Sequence, residues 1–187
     1  MYEDKDLVRR TLEGEKEAFE MIIKKYQTPL LNYIGRMVRE RELALDLTQD
    51  VFIKTYASLH TYQPEHKFST WLFKIASNYT IDYWRKKKID AHSIDTSKDE
   101  DNYRPSVQIP ANEPSVVKKF ELSEIREKIE RALEKIQPSL RELFVWRHIN
   151  EFSYEEIAEI KGLPVGTIKN KVFQAKEMIR KHLEAAV

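Results

Sequence analysis

The chain has 187 residues, of which 41% are apolar and 34% are charged, and its formal net charge is +1 at pH 7. This length allows one large or two small domains. Because there is no cysteine, disulfides and thiolate metal sites are excluded. No apolar run is long enough to cross a membrane, and the charged start MYEDKDLVRR is unlike a signal peptide. We therefore expect a cytoplasmic protein without membrane insertion.

The first half of the chain carries apolar residues at helical spacing. Three helices are predicted, with these apolar positions: Phe19, Ile22, Ile23, Tyr26, Leu30, Ile34 and Met37 in the first; Leu43, Leu47, Val51 and Tyr56 in the second; Phe68, Leu72, Ile75 and Tyr79 in the third. Pro29 is expected to kink the first helix. Strand alternation and hairpin turn signals are absent, so the predicted fold class is all-α.

The second predicted helix, ELALDLTQDVFIKTY, has a polar face. Asp46, Gln49 and Asp50 follow an i, i+3, i+4 spacing and project together, away from Leu47 and Val51. Paired carboxylates can perform acid–base chemistry or bind a metal, but no third ligand joins this face. An acidic patch for a basic protein partner is the preferred interpretation, with an ordinary solvated face as the alternative.

The third predicted helix, KFSTWLFKIASNYTIDYWRKKK, begins apolar and ends in a basic run at residues 85–88, which includes Lys86. Asn78, Asp82 and Arg85 share a polar stripe along it. The basic run fits contacts with nucleic-acid phosphates, although a solvated helix end is the alternative. Trp71, Tyr79 and Tyr83 are expected to be core residues rather than base-stacking platforms.

Residues 89–115 hold three prolines and an acidic cluster and show no periodicity. Residues 61–92 carry six Lys or Arg and three acids, whereas residues 93–115 carry two and five. We interpret residues 93–115 as a flexible acidic linker between two small helical domains, residues 1–92 and 116–187.

The second domain is also predicted to be helical. Leu122, Ile125, Ile129, Leu133 and Ile136 mark one helix that ends before Pro138, and Leu140, Leu143 and Phe144 begin the next. The stretch SYEEIAEIKGLPVGTIKNKVFQAK then predicts a helix-turn-helix. Ser153 and Glu156 are spaced as a capping box, Gly162 suits a left-handed helix end, and Pro164 suits the start of the second helix.

The second helix of this motif has an apolar stripe consisting of Ile168, Val172, Ala175, Ile179 and Leu183. At about 100° per residue, the opposite face carries Lys169, Asn170, Phe173, Gln174 and Glu177, flanked by Lys171 and Lys176. Cations suit phosphates, amides suit base edges, and an apolar group suits a thymine methyl. DNA recognition is therefore favoured over plain packing.

Taken together, these segments resemble the extracytoplasmic-function (ECF) sigma factors of bacterial RNA polymerase. ALDLTQDVF is similar to that family's polymerase-binding helix, FSTWLFKIASNYTIDYWR to its −10 recognition segment, and SYEEIAEIKGLPVGTIKNKVFQAK to its −35 helix-turn-helix. The resemblance implies a transcription initiation factor that binds core RNA polymerase (the coiled coil of the largest subunit, and the flap) and promoter DNA. It also implies a linker in the RNA exit path and an anti-sigma factor that masks the binding faces.

The resemblance further implies roles for individual residues. Core-polymerase contacts fall on Asp46, Gln49 and Asp50. Contacts with the −10 element fall on Asn78, Asp82, Arg85 and Lys86, with Asp82 orienting Arg85, and on the loop residues Tyr62 and Lys67, which would line a pocket for one flipped non-template base. Contacts with the −35 element fall on Thr167, Lys169, Asn170, Lys171, Phe173, Gln174 and Lys176.

The recognition helix departs from the family in two places. The family usually has Ser-Arg and Arg-Ala-Arg where this chain has Asn170-Lys171 and Gln174-Ala175-Lys176. We expect DNA binding to be retained and the preferred promoter sequence to differ.

Three other classes of protein are weaker interpretations. A stand-alone transcriptional regulator would need a dimer interface or a ligand pocket, and the sequence shows neither a heptad seam nor a pocket-forming pattern. A purely structural helical adaptor would leave the basic faces unexplained. No catalytic constellation is evident, so we expect neither enzyme activity nor a small-molecule substrate nor a cofactor.

Overall fold

The computed structural model describes residues 3–91 and 116–185, with side chains for residues 3–85 and 124–185. These residues form eight α-helices and one short 3-10 helix, without a strand in the described ranges. They fall into two compact units, one before and one after residues 92–115. The all-α prediction is confirmed. The predicted acidic linker lies outside the described residues.

The first unit consists of α1 (Asp4–Leu12), α2 (Lys16–Val38), α3 (Arg41–Ser58), a 3-10 turn (Leu59–Thr61) and α4 (Phe68–Ala91). Helix α2 packs against each of the other three helices. Its core contains most of the apolar positions expected from the sequence, among them Ile22, Leu30, Ile34, Val51 and Leu72, each fully buried. Pro29 lies inside α2, which continues to Val38.

Helix α1 was not among the predicted helices, and its first residue, Asp4, bonds to α2. Asp4 accepts hydrogen bonds from Lys25 Nζ at 2.6 Å and from the Tyr26 hydroxyl at 2.7 Å. Leu7 and Val8 are buried on the same helix. Burial, followed by the bond to Asp4, raises the pKa of Tyr26 well above its usual range. The first turn of α1 is therefore attached to α2 by both polar and apolar contacts.

The second unit consists of α5 (Val116–Lys135), α6 (Pro138–His148), α7 (Tyr154–Lys161) and α8 (Val165–Glu184). Helix α8 packs against the other three. Ile168, Val172, Ala175 and Ile179 are buried, as the helical stripe predicted. Ile125, one of the apolar positions that mark α5, is 54% exposed.

Two buried charged residues on α6 organise this unit. The Arg141 guanidinium donates to the main-chain oxygens of Leu133, Glu134 and Ile136, and so satisfies carbonyls at the C-terminal end of α5. The neighbouring Glu142 carboxylate, only 3% exposed, lies 2.5 Å from the Lys161 ammonium. These contacts fix both α5 and the end of α7 against α6.

The turn between α7 and α8 has the predicted geometry. The Ser153 hydroxyl accepts from the Glu156 amide and the Glu156 carboxylate accepts from the Ser153 amide, which completes the capping box. Gly162 is left-handed at φ 64°, and Leu163 N–H donates to the Ala158 carbonyl. The capping box and the glycine turn together define the helix-turn-helix. No helix in the described part of the chain has the length and apolar character that spanning a bilayer requires.

Candidate functional site

The polar face of α3 lies at the surface of the first unit. Asp46 and Gln49 are exposed and Asp50 is half-buried, so the three side chains stay on one side of the helix, as their spacing predicted. Ile53 continues this face one turn further and is 67% exposed, although it was not among the residues predicted for the face. Position 53 lies four residues after Gln49 and three after Asp50, so the same helical spacing, continued by one turn, assigns it to this face. The face is therefore acidic at one end and apolar at the other.

Asp50 has an internal partner that the sequence did not reveal. The Tyr79 hydroxyl, on α4, donates to Asp50 Oδ2 at 2.6 Å. The Lys54 ammonium lies 4.9 Å from the centroid of the Tyr79 ring. Asp50 is therefore bonded within the fold, and Tyr79 is a half-buried residue that connects α4 to α3 rather than the core residue that the sequence predicted.

The polar stripe on α4 is exposed along its length at Asn78, Asp82 and Arg85. Arg85 and Asp82 form an ion pair at 3.2 Å, with more than half of each side chain in solvent. Surface pairs of this kind contribute little to stability, but they restrict the direction of the guanidinium. The side chain of Lys86 lies outside the described residues.

The loop between the 3-10 turn and α4 borders an open depression of about 440 Å³. Its lining residues are Glu3, Asp4, Lys5, Lys25, Tyr62, Glu65, His66, Lys67, Phe68 and Ser69. The structure thus brings the predicted pair Tyr62 and Lys67 to one concave surface. It also adds residues from the start of α1, which no local sequence pattern could have assigned to this place.

Tyr62 lies mostly beneath the floor of this depression. Its ring packs against Phe68 and Trp71, with centroids 5.3 and 5.6 Å away, and its hydroxyl donates to the His66 carbonyl at 2.7 Å. Burial is the main cause of the raised pKa of Tyr62. The loop is therefore held in shape by its own aromatic residue, while Lys67 stays exposed.

The outer face of α8 presents the groups that the sequence placed there. Lys169, Asn170, Phe173, Gln174 and Lys176 are exposed, Phe173 by 65%, and Thr167 and Lys171 are half-buried. Within the described part of the chain, the Asn170 and Gln174 side chains make no hydrogen bond. Glu177 pairs with Arg180 at 2.8 Å, so the one acid on this face is neutralised one turn beyond the other groups.

Two cations approach Tyr154 at the start of α7. The Arg147 guanidinium lies 4.9 Å and the Lys169 ammonium 5.7 Å from the Tyr154 ring centroid. Arg147 also donates to the Phe152 carbonyl. Neither Arg147 nor Tyr154 was predicted from the sequence to be a binding residue. Among the described residues, no group of three or more His, Asp or Glu side chains could hold a metal ion.

Comparison with known proteins identifies the family. A profile described as Sigma-70 region 2 matches residues 22–89, and one described as Sigma-70, region 4 matches residues 126–179. The ECF RNA polymerase sigma factor SigW of Bacillus subtilis is 33% identical over 183 residues, which cover 96% of each chain. This chain belongs to the ECF sigma factor family.

Other relatives agree with this membership. The RNA polymerase sigma-H factor of Pseudomonas aeruginosa is 29% identical over 97% of this chain and 94% of its own. Among solved structures, CnrH in complex with the cytosolic domain of CnrY aligns with a TM-score of 0.70 at 21% identity, covering 98% of this chain and 99% of that one. RpoE of Bartonella quintana, in complex with the anti-sigma factor NepR, aligns at 0.68 and 24% identity, covering 89% and 96%. At these identities the structures support the fold alone.

Proposed function

We propose that this ECF sigma factor binds core RNA polymerase through the first unit and directs it to promoters whose −10 and −35 elements it contacts with separate units. Residues 1–92 would bind polymerase and the −10 element, and residues 116–187 the −35 element. The acidic segment 93–115 would follow the basic RNA exit path. Such a protein acts in the cytoplasm, where polymerase and DNA are found.

The α3 face is the proposed polymerase surface. Its exposed carboxylates suit a basic helical partner such as the coiled coil of the largest subunit, and Ile53 offers the apolar contact that usually forms the centre of a protein interface. An anti-sigma factor that covered this face would prevent polymerase binding.

The loop and α4 are the proposed −10 surface. The depression beside Lys67 carries cations for phosphates and carboxylates that can accept hydrogen bonds from base N–H groups. Capture of one non-template base there would hold the strands apart without any chemical step. Asn78 and Arg85 would contact the adjoining duplex, with Asp82 directing Arg85.

The outer face of α8 is the proposed −35 surface. The groups exposed on this face are the main support for the proposed function. Asn170 and Gln174 are exposed amides without a hydrogen-bond partner in the described residues, on either side of an exposed Phe173. An exposed aromatic ring between free amides has no evident role in packing, whereas a DNA major groove uses all three groups. Thr167, Lys169, Lys171 and Lys176 would contact the backbone; the Arg147–Tyr154 pair lies beside Lys169 and would join them.

The decisive experiment measures association with polymerase. The full chain is mixed with bacterial core RNA polymerase, separated by size, and assayed for run-off transcription on a promoter library. We expect one-to-one co-elution and initiation at a defined set of promoters. Binding to DNA without association with polymerase would instead identify a stand-alone regulator.

Asp46→Lys tests the α3 face within the same assay. Asp46 is exposed and its side chain makes no hydrogen bond within the described residues, so the reversal should leave the thermal unfolding midpoint nearly unchanged. Like-charge contact across an interface costs several kcal/mol, so affinity for core polymerase should fall at least about 100-fold. Glu20→Lys, a reversal at an exposed site on α2, is the control. If Asp46→Lys and Glu20→Lys bind core polymerase with equal affinity, the α3 face is not the polymerase surface.

A further inference from the structure

Helices α3 and α4 are joined by a side-chain hydrogen bond between residues 29 positions apart in the sequence. The Tyr79 hydroxyl donates to Asp50 Oδ2 at 2.6 Å, and this bond is the main reason that the pKa of Tyr79 rises to about 12. A tyrosine hydroxyl is protonated at neutral pH, so Tyr79 is the donor in this bond and the carboxylate is the acceptor. Lys54, one turn after Asp50 on α3, places its ammonium against the Tyr79 ring.

The two ends of this bond belong to the two proposed surfaces of the first unit. Asp50 lies beside Asp46 and Gln49 on the α3 face, and no described group bonds its second oxygen, Oδ1. Tyr79 follows Asn78 directly and precedes Asp82 by three residues on the α4 stripe. The Asp50 carboxylate thus bonds to α4 through Oδ2, which leaves Oδ1 available for an ion pair with a cationic side chain of a partner protein.

We propose that Tyr79 is a positioning residue that links polymerase binding to the −10 surface. Its hydroxyl holds the Asp50 carboxylate in the orientation that polymerase meets, and the same bond ties α4 to that carboxylate. This inference rests on the proposed polymerase role of the α3 face.

The first consequence concerns affinity. A free aspartate on a helix samples more than one side-chain orientation, and a partner must restrict it to one on binding. The bond from Tyr79 restricts the Asp50 side chain to one orientation before the partner binds. Removing the hydroxyl should therefore weaken binding to core polymerase although the charge of Asp50 remains.

The second consequence follows from linkage. If the Tyr79 bond favours the orientation that polymerase binds, then polymerase binding must favour the Tyr79 bond by the same factor. Bound polymerase should therefore stabilise the middle of α4, on which Asn78, Asp82 and Arg85 stand, even without DNA.

The test uses the full chain with core polymerase, with affinity measured by titration and α4 order measured by backbone hydrogen exchange. In the wild type, polymerase should slow exchange in both α3 and residues 76–85. Tyr79→Phe should lower affinity roughly three- to tenfold, because polymerase must then fix the Asp50 side chain on binding, and it should lose the slowing in residues 76–85 while keeping it in α3. Tyr83→Phe, which removes a hydroxyl one turn further along α4, should behave as wild type.

Asp50→Asn separates the bond from the charge. The amide oxygen can still accept from Tyr79, so this variant should bind polymerase more weakly yet show the wild-type slowing in residues 76–85 once polymerase is saturating. If Tyr79→Phe keeps that slowing and the wild-type affinity, Tyr79 is not a link and the inference is overturned. Undiminished polymerase binding by Asp46→Lys would overturn the proposed surface itself, which is a separate result.

Discussion

The two units present their candidate binding groups in different ways. On α3 and α4, two pairs of side chains at these surfaces bond to each other, namely Asp50 with Tyr79 and Asp82 with Arg85. On the outer face of α8 the amides and Phe173 make no such bond in the described residues. The polar contacts of this motif involve α7 instead: the Glu142–Lys161 pair attaches its end to α6, and the capping box fixes its start.

This difference separates two kinds of mutational effect. A change at Asp50, Tyr79, Asp82 or Arg85 alters an internal bond together with binding. A change on the outer face of α8 should alter recognition alone, because those side chains do not support the fold. Stability of the second unit should instead depend on buried groups that touch no DNA.

The largest effect is expected when the buried support is removed. Glu142→Ala takes the carboxylate away from Lys161, whose side chain is only 20% exposed and also lies 5.1 Å from the Trp146 ring centroid. Breaking a buried ion pair by removing one partner costs about 3–5 kcal/mol, so the second unit should unfold at much lower urea concentration. Hydrogen exchange of residues 138–184 in the full chain would measure this.

Glu177→Ala is the matched control for the buried pair. It removes the carboxylate that faces Arg180, whose side chain is 57% exposed, and surface pairs contribute no more than about 1 kcal/mol. A double variant, Glu142→Leu with Lys161→Met, should recover much of the lost stability, because an apolar pair needs no charge compensation. Equal losses in Glu142→Ala and Glu177→Ala would show that burial does not distinguish the two pairs.

An intermediate effect is expected at Gln174, and it should appear in recognition only. Glutamine pairs with adenine in the major groove, whereas arginine pairs with guanine, and one good pair is worth about 1–3 kcal/mol of discrimination. Gln174→Arg should therefore move the preference at one −35 position from adenine to guanine without changing the unfolding midpoint. A −35 base-substitution series measures this for both proteins.

Lys176→Ala provides the contrast within the same helix. Loss of a phosphate contact should weaken binding to every DNA sequence alike. It should also reduce the slope of log affinity against log salt concentration by about one.

For Gln174→Arg, a base preference that equals the wild-type preference at every −35 position would mean that Gln174 does not contact bases.

The smallest effect concerns pH. Burial, then the charges of Arg147 and Lys176, lowers the pKa of His148 below its usual 6.5. The unfolded chain therefore takes up a proton at this site first, so the second unit should lose stability as pH falls through about 6.5 until the folded imidazole is itself protonated. His148→Gln should show a flatter dependence of the unfolding midpoint between about pH 8 and about pH 5. If the unfolding midpoint depends on pH equally in the variant and the wild type, His148 is not the cause of the loss of stability.

Much of the second unit follows from local sequence rules. The capping box involves residues three apart, the left-handed turn needs a glycine at one position, and the buried stripe of α8 repeats with the helical period. Each of these signals involves neighbours along one helix. The exposure of the α8 face and of Asp46 follows from the same periodicity.

The sequence by itself therefore determined the all-α class, most of the helices, the helix-turn-helix and the faces on which the candidate groups stand. Only the tertiary structure decided which of those groups meet: Asp50 with Tyr79, Asp4 with Lys25 and Tyr26, Glu142 with Lys161, and the start of α1 with the loop at Lys67. It also left Ile125 exposed, although its spacing from Ile129 and Leu133 is that of one helix face. The physical reason is that the helical period fixes only the direction in which each side chain points around the axis of its helix. The crossing angles and offsets between helices, which set the remaining contacts, come from the packing of whole surfaces.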